Sequence, residues 1–381
     1  KAGAGAADAI AIEGRSITID MRGGTLEQAE REEGIDVGLR VLVGQRQACV
    51  SASDARPEVL TALAERAVAM AREAPEDPYI GLADPGQLAR DWDLAALELA
   101  DATPEPSAQD LQDDARAAEA AALEVQGVSQ VQSASAGYSW RAVHMAATNG
   151  FAGGYERTDR GISCVAIAGE GSGMERDHDG DSRIFQADLR TPDDIGRRAG
   201  ERAVAALNPR RPRTGAYPVL FDERISSSLI GHLLAASNGA SIARGSSWLM
   251  GRLGEQVLPE GLSVIEDPHR PRVMGSRPFD AEGLPTRRRA IVQDGVLTGW
   301  ALDLANARKL GMEPTGSAKR GTSSPPSPGT WNIELTQGGQ SRDELIADMG
   351  TGLLVTSMIG STINPNTGDY SRGASGFWVE N

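Results

Sequence analysis

The sequence predicts an α+β fold in two domains, built from mixed or antiparallel sheets with flanking helices. Three observations carry that expectation. Runs of alternating apolar residues sit beside segments with helical periodicity. The chain has 381 residues, more than one compact core usually holds. Its 45 glycines against 4% aromatics point to many turns and closely approaching strands.

Taken in order, "SITID" (16–20) and "DVGLRVLVG" (36–44) read as strands, and in the second Val37, Leu39, Val41 and Val43 share one face. The acidic "TLEQAEREEG" between them reads as a solvated connection. "RPEVLTALAERAVAMAREA" reads as a helix with Pro57 in its first turn and Val59, Leu60, Leu63, Ala67 and Met70 on one apolar face. Ser107 caps the next helix, with Asp110 in capping-box position. Residues 128–168 read as an antiparallel meander, and "TPDDIGRRAGERAVAALNP" (191–209) as a helix ended by Asn208-Pro209.

The basic, proline-broken "NPRRPR" (208–213) reads as a linker, dividing the chain into 1–210 and 211–381. Beyond it, "AYPVLFD" is a short strand and Asp222 caps a following helix. A hairpin turns at Asp294-Gly295, and "GTSSPPSPGT" (321–330) is an extended surface loop.

A net charge of −15 disfavours nucleic acid as a partner. Cys49 and Cys164 form no metal or disulfide motif, which suits a reducing compartment. No apolar run reaches the ~20 residues a membrane span needs, and the start carries no signal-peptide pattern, so a cytoplasmic protein is expected. Dinucleotide, P-loop and nucleophile-elbow motifs are lacking. "GEGSG" (169–173) reads as a turn. "DHDGD" (177–181) fails the calcium-loop pattern, with Ser182 and Asp188 at the sixth and twelfth places, and reads as a polar hairpin tip.

The four histidines, His144, His178, His232 and His269, stand far apart. A catalytic zinc wants three protein ligands and a positioned carboxylate. His232 is therefore alone locally, and reads as a hydrogen-bonded helix histidine beside the Leu229/Ile230/Leu233 stripe.

Five ordered stretches resemble the TldD/PmbA family, and specifically its PmbA (TldE) branch: "SLIGHLLAASNGASIARGSSWL" (228–249), "FDAEGLPTRRRAIVQDGVL" (279–297), "ARKLGMEPTGSA" (307–318), "ADMGTGLLVT" (347–356) and "TGDYSRGASGFWVEN" (367–381). The resemblance implies a β-rich C-terminal half of TldD/PmbA type. In the TldD branch a helix carries the zinc motif HExxxH. Laid over it, this sequence has Ser227 for the first histidine, Ser228 for the glutamate, and retains His232. A hydroxyl is a poor zinc ligand and no general base near neutral pH. The cysteine ligand of that branch has no counterpart, since both cysteines precede residue 165.

The resemblance thus implies a chain with no metal, no cofactor and no catalytic residue of its own. It implies a partner, a TldD-like metalloprotease subunit, with which the chain forms a cytosolic protease for unfolded peptides, including peptide-antibiotic precursors and antitoxin-type proteins. A homodimer in isolation is compatible with it, and the older family label, modulator of DNA gyrase, is then indirect. Asp369, Tyr370, Ser371 and Arg372 are candidate peptide or partner contacts, or else a tight turn held by an Asp369–Arg372 pair. Competing readings are an independent hydrolase using His232, His269 and the acids Asp280 and Glu282, and a homodimeric peptide-binding scaffold.

Overall fold

The computed structural model describes residues 2–380, apart from the side chains of residues 361 and 362. Strands β1 (Ala6–Arg22), β2 (Thr25–Val43) and β3 (Arg46–Ala52) lead into helix α1 (Pro57–Glu73), a single short turn α2 (Leu94–Leu97) and helix α3 (Ala108–Leu123). Then come β4 (Val128–Ala147), β5 (Ala152–Ala168), β6 (Glu175–Arg183) and α4 (Pro192–Ala205). The six strands form one antiparallel sheet in the order β3-β2-β1-β4-β5-β6. The mixed α+β class and the antiparallel meander are as the sequence predicts.

The long strands bury opposite faces at their two ends. On β1, the odd-numbered Ile17, Ile19 and Met21 join α3 and α4 in one core with Ala134, Ala136, Ile162 and Cys164. The even-numbered Ile10 and Ile12 face the other way and pack with Met145, Phe151 and Phe279. Because side chains alternate, a strand can serve two cores only by this change of face along its length. Helix α1 covers Val41, Ala48 and Val50 on the α3/α4 side.

The acidic 25–34 segment is the outer half of β2, not a connection. It pairs with the far half of β1, from Arg22↔Thr25 to Gly14↔Gly34, with one bulge at Glu27. Its side chains are exposed on both faces, so no period-2 pattern marks it. In α1, Val68 and Ala71 are buried with Leu63 and Ala67 while Met70 is exposed, because the helix presents a narrower, rotated stripe to the sheet. Residues 177–181 are not a hairpin tip but the middle of β6, paired to β5. There Asp179 is buried beneath Arg190 and Arg202. Residues 208–213 are an exposed coil.

The later chain carries β7 (Val219–Phe221), α5 (Glu223–Ala236), α6 (Gly239–Arg244), β8 (Val264–Glu266), β9 (Arg289–Gln293), β10 (Val296–Leu297) and α7 (Leu304–Leu310). It continues with β11 (Ala318–Lys319), β12 (Ser327–Pro328), β13 (Ile333–Leu335), α8 (Arg342–Met349), β14 (Gly352–Ile363) and β15 (Tyr370–Val379). A sheet of order β10-β9-β8-β13 backs a core shared with α5, α6 and α7. The β9–β10 hairpin turns at Asp294-Gly295, both with positive φ. β15 pairs antiparallel to β14, which pairs parallel to β7.

The 321–330 segment runs at the surface, with Gly321, Ser323, Ser324, Pro325 and Ser327 exposed, but it is anchored to the sheet. Thr322 crosses Gly38 of β2 so closely that a Cβ there would lie 2.2 Å from its carbonyl oxygen, and β12 pairs with β11. The second half of the chain thereby covers the sheet face that α1, α3 and α4 leave open. No described helix is long and apolar enough to cross a membrane.

Candidate functional site

Helix α5 is tied at its N-terminal end to both halves of the chain. Asp222 caps it by accepting from the Arg224 amide, and the Asp222 amide bonds Val355 O of β14 at 2.9 Å. Burial alone raises the Asp222 carboxyl, but the Arg224 amide and guanidinium outweigh burial and hold it below the usual range. The same guanidinium reaches Asp177 of β6 at 3.0 Å, tying the helix to the large sheet. Leu233 and Ala236 face the core.

On this scaffold Ser227 is exposed. Ser228 Oγ donates to Ile225 O at 2.7 Å, back into its own helix. His232 is half-buried and stands edge-on to Tyr370 of β15, ring centroids 5.2 Å apart, and its buried Nε2 has no hydrogen-bond partner. The hydrogen-bonded histidine that the sequence suggests is thus an aromatic contact instead. Two hydroxyls and one imidazole do not make a zinc ligand set, and no carboxylate stands in the glutamate's place, so the residues present do not fit the metal. Among the described residues no three His, Cys, Asp or Glu side chains are grouped for a metal ion.

The other candidates have separate partners. Asp369 accepts from Thr367 Oγ1 at 2.7 Å and makes no ion pair with Arg372, whose Nε is buried and unpartnered. The turn before β15 rests on Trp248: the Trp248 amide bonds Pro365 O, and Gly368 lies against the indole. Tyr370 Oη donates to Met358 Sδ. Ser371 is exposed on β15. His269 Nε2 pairs with Thr286 Oγ1 at 2.9 Å. The hydrolase constellation is therefore dispersed: His232 meets Tyr370, His269 meets Thr286, and the two acids close a buried turn.

In that turn Asp280 accepts the amides of Glu282, Leu284 and Ala318, and Glu282 accepts the amide of Leu304. Burial, then the charge of Asp280, pushes Glu282 up to about 8. Burial raises Asp280 as well, so the pair holds a proton to higher pH than two free carboxyls do, and the three N–H donors on Asp280 against one on Glu282 favour the negative charge there.

Sequence reasoning missed a cavity of about 230 Å³ between the sheet and the second half of the chain. Ile10, Met145, Tyr155 and Phe279 line one side, and Arg277, Lys319, Arg320 and Trp331 the other. These residues come from four separated stretches, and no local spacing marks them.

Three family models match the chain: PmbA/TldA metallopeptidase domain 1 over residues 7–71, the central domain over 101–207 and the C-terminal domain over 214–381. The metalloprotease PmbA of Escherichia coli O157:H7 is 34% identical over 366 residues, covering 96% of this chain and 79% of that protein. A crystal structure of a candidate modulator of DNA gyrase from Bacteroides thetaiotaomicron matches with a TM-score of 0.91 at 27% identity, over 100% of this chain and 84% of that one. TldE from Thermococcus kodakarensis shares the fold, with a TM-score of 0.79 at 22% identity over 95% of this chain and 81% of that one. On this evidence the chain belongs to the PmbA/TldD metallopeptidase family.

Proposed function

We propose that the chain is the PmbA/TldE-type, metal-free subunit of a two-chain cytosolic protease whose other subunit is a TldD-like metalloprotease. The observation that carries this reading is the donor set on α5: an exposed hydroxyl at Ser227, a hydroxyl at Ser228 turned into its own helix, and His232 against Tyr370. Such a helix keeps the shape of a metal helix without its chemistry. The TldD-like subunit supplies the metal chemistry, and this chain helps wall the chamber and hold an extended peptide. Unfolded segments suit it, because only an unpaired backbone can add to a strand edge.

Exposed apolar side chains on the C-terminal hairpin support the partnership. Ile359 is 70% exposed on β14, and Tyr370, Phe377 and Trp378 are exposed on β15. Phe377 and Trp378, neighbours on one strand, point to opposite faces, so the hairpin offers apolar side chains on both. Residues 1–210 provide the sheet in this scheme, and residues 211–381 the helix and the apolar hairpin. Mixing the purified chain with a TldD-like chain and an unstructured peptide tests the proposal. Cleavage is expected only in the mixture; cleavage by this chain alone refutes it.

A further inference from the structure

The cavity between the sheet and the second half of the chain is charged on one side only. Arg277, Lys319 and Arg320 line it against a single acid, Asp280, whose carboxylate is occupied by three backbone amides. Glu266, a second nearby acid, is engaged by Arg289 and the Trp331 amide. Asp8 is shared between Arg40 and Arg320, one carboxylate for two guanidinium groups. Arg277 and Lys319 sit over the Trp331 ring, with 3.1 and 4.3 Å to its centroid, and among the described residues neither makes an ion pair.

Arg320 is the decisive side chain. It is 0% exposed, and only its Nη1 is used, on Asp8. Its Nε and Nη2, the two donors along one edge of the guanidinium, are buried with no hydrogen-bond partner, and so is Trp331 Nε1. A free Nε/Nη2 edge is the fork that receives both oxygens of a carboxylate, and because the side chain has no exposed surface, a ligand reaches it through a small shift of the cavity lining. Unpaired buried donors are costly, so a group that fills them is bound with gain. The opposite wall, Ile10, Val143, Met145, Tyr155 and Phe279, is apolar and aromatic.

We infer that this cavity binds an organic carboxylate bearing one apolar or aromatic group: the carboxylate on the Arg320 fork, Lys319 and Arg277 beside it, and the apolar group against Phe279 and Met145. The volume of about 230 Å³ lies below the ~300–1,000 Å³ of ordinary drug-sized pockets, which suits a ligand the size of one residue. Lys319 is the exposed member of the charged wall. Both the C-terminal residue of a peptide and a free apolar acid have this chemistry. The site lies apart from α5 and needs neither metal nor partner chain, so it stands or falls independently of the protease proposal.

Titration calorimetry on the chain alone tests it with N-acetyl-L-phenylalanine, its C-terminal amide, inorganic phosphate, and a hexapeptide ending in Phe as free acid. The expected result is one saturable site for N-acetyl-L-phenylalanine, with the amide and phosphate at least ~10-fold weaker, as loss of a two-pronged charged contact implies. Lys319→Gln weakens binding severalfold. Arg320→Lys, which keeps the charge but loses the fork, weakens it more, with thermal melts confirming that both variants fold. Equal binding of the hexapeptide assigns the site to peptide ends, and its exclusion assigns it to free acids; either supports the site. No saturable binding, equal affinity for the amide, or tighter binding of phosphate overturns the inference.

Discussion

His232 on α5 and Tyr370 on β15 meet edge to face, their ring centroids 5.2 Å apart at 62°. His232 thus seats the C-terminal hairpin on the helix. An aromatic pair of this kind contributes about 0.5–1.5 kcal/mol beyond its area. Replacing His232 with Ala is therefore expected to lower stability by about 1 kcal/mol while leaving cleavage by the mixture with a TldD-like chain within a few-fold. Denaturant melts and the mixed-subunit assay check both parts.

Glu282 makes the stability of the chain depend on pH. Its carboxyl is raised to about 8 in the fold and titrates near 4.3 in an unfolded chain. The folded state therefore binds the extra proton between these values, and stability falls as pH rises through that window. Glu282→Gln mimics the protonated form and is expected to flatten the fall between pH 5 and 9 in thermal melts recorded at each pH. An unchanged slope contradicts the assignment of the proton.

Asp179 behaves in the opposite sense. Burial raises its carboxyl, but Arg190 and Arg202 outweigh burial and bring it below the usual range. The stabilisation it provides is present above the ordinary carboxylate range and is lost as pH falls through its lowered value. Asp179→Asn takes the carboxylate from Arg202 and leaves Arg190 with Asp194, and is expected to cost about 3 kcal/mol at pH 7. The difference from wild type should shrink in acid, which urea melts at pH 7 and pH 3 can follow.

Gly38 is where the second half of the chain crosses the sheet. An added methyl would meet the Thr322 carbonyl at 2.2 Å, with backbone on both sides and no flexible side chain to give way. Gly38→Ala is expected to cost about 1–3 kcal/mol by overpacking and to speed proteolysis within residues 321–330. A neutral substitution would mean that the segment does not rest there.

Much of the first half was legible because its signals are local. The Ser107–Asp110 capping box, Pro57 at the start of α1 and the paired runs around 128–168 each declare themselves within a few residues. Residues 25–34 were not legible as a strand, since that part of β2 buries neither face and carries no alternation. On α5 the set Ser227, Ser228 and His232 is visible in the sequence, and that it stands in place of a metal motif is what the resemblance to the TldD branch implies. That Ser228 turns inward and His232 finds Tyr370 depends on a hairpin more than a hundred residues away. The cavity was hidden for the same reason: Ile10, Phe279, Arg320 and Trp331 converge only after the sheet is covered.

The metal content of the purified chain tests the central claim most directly. After equilibration with zinc and removal of free ion, well under ~0.1 zinc per chain is expected, because two hydroxyls and one imidazole lack the three or four ligands a stable site requires. About one tightly held zinc per chain, lost on changing His232 to Ala, would contradict it.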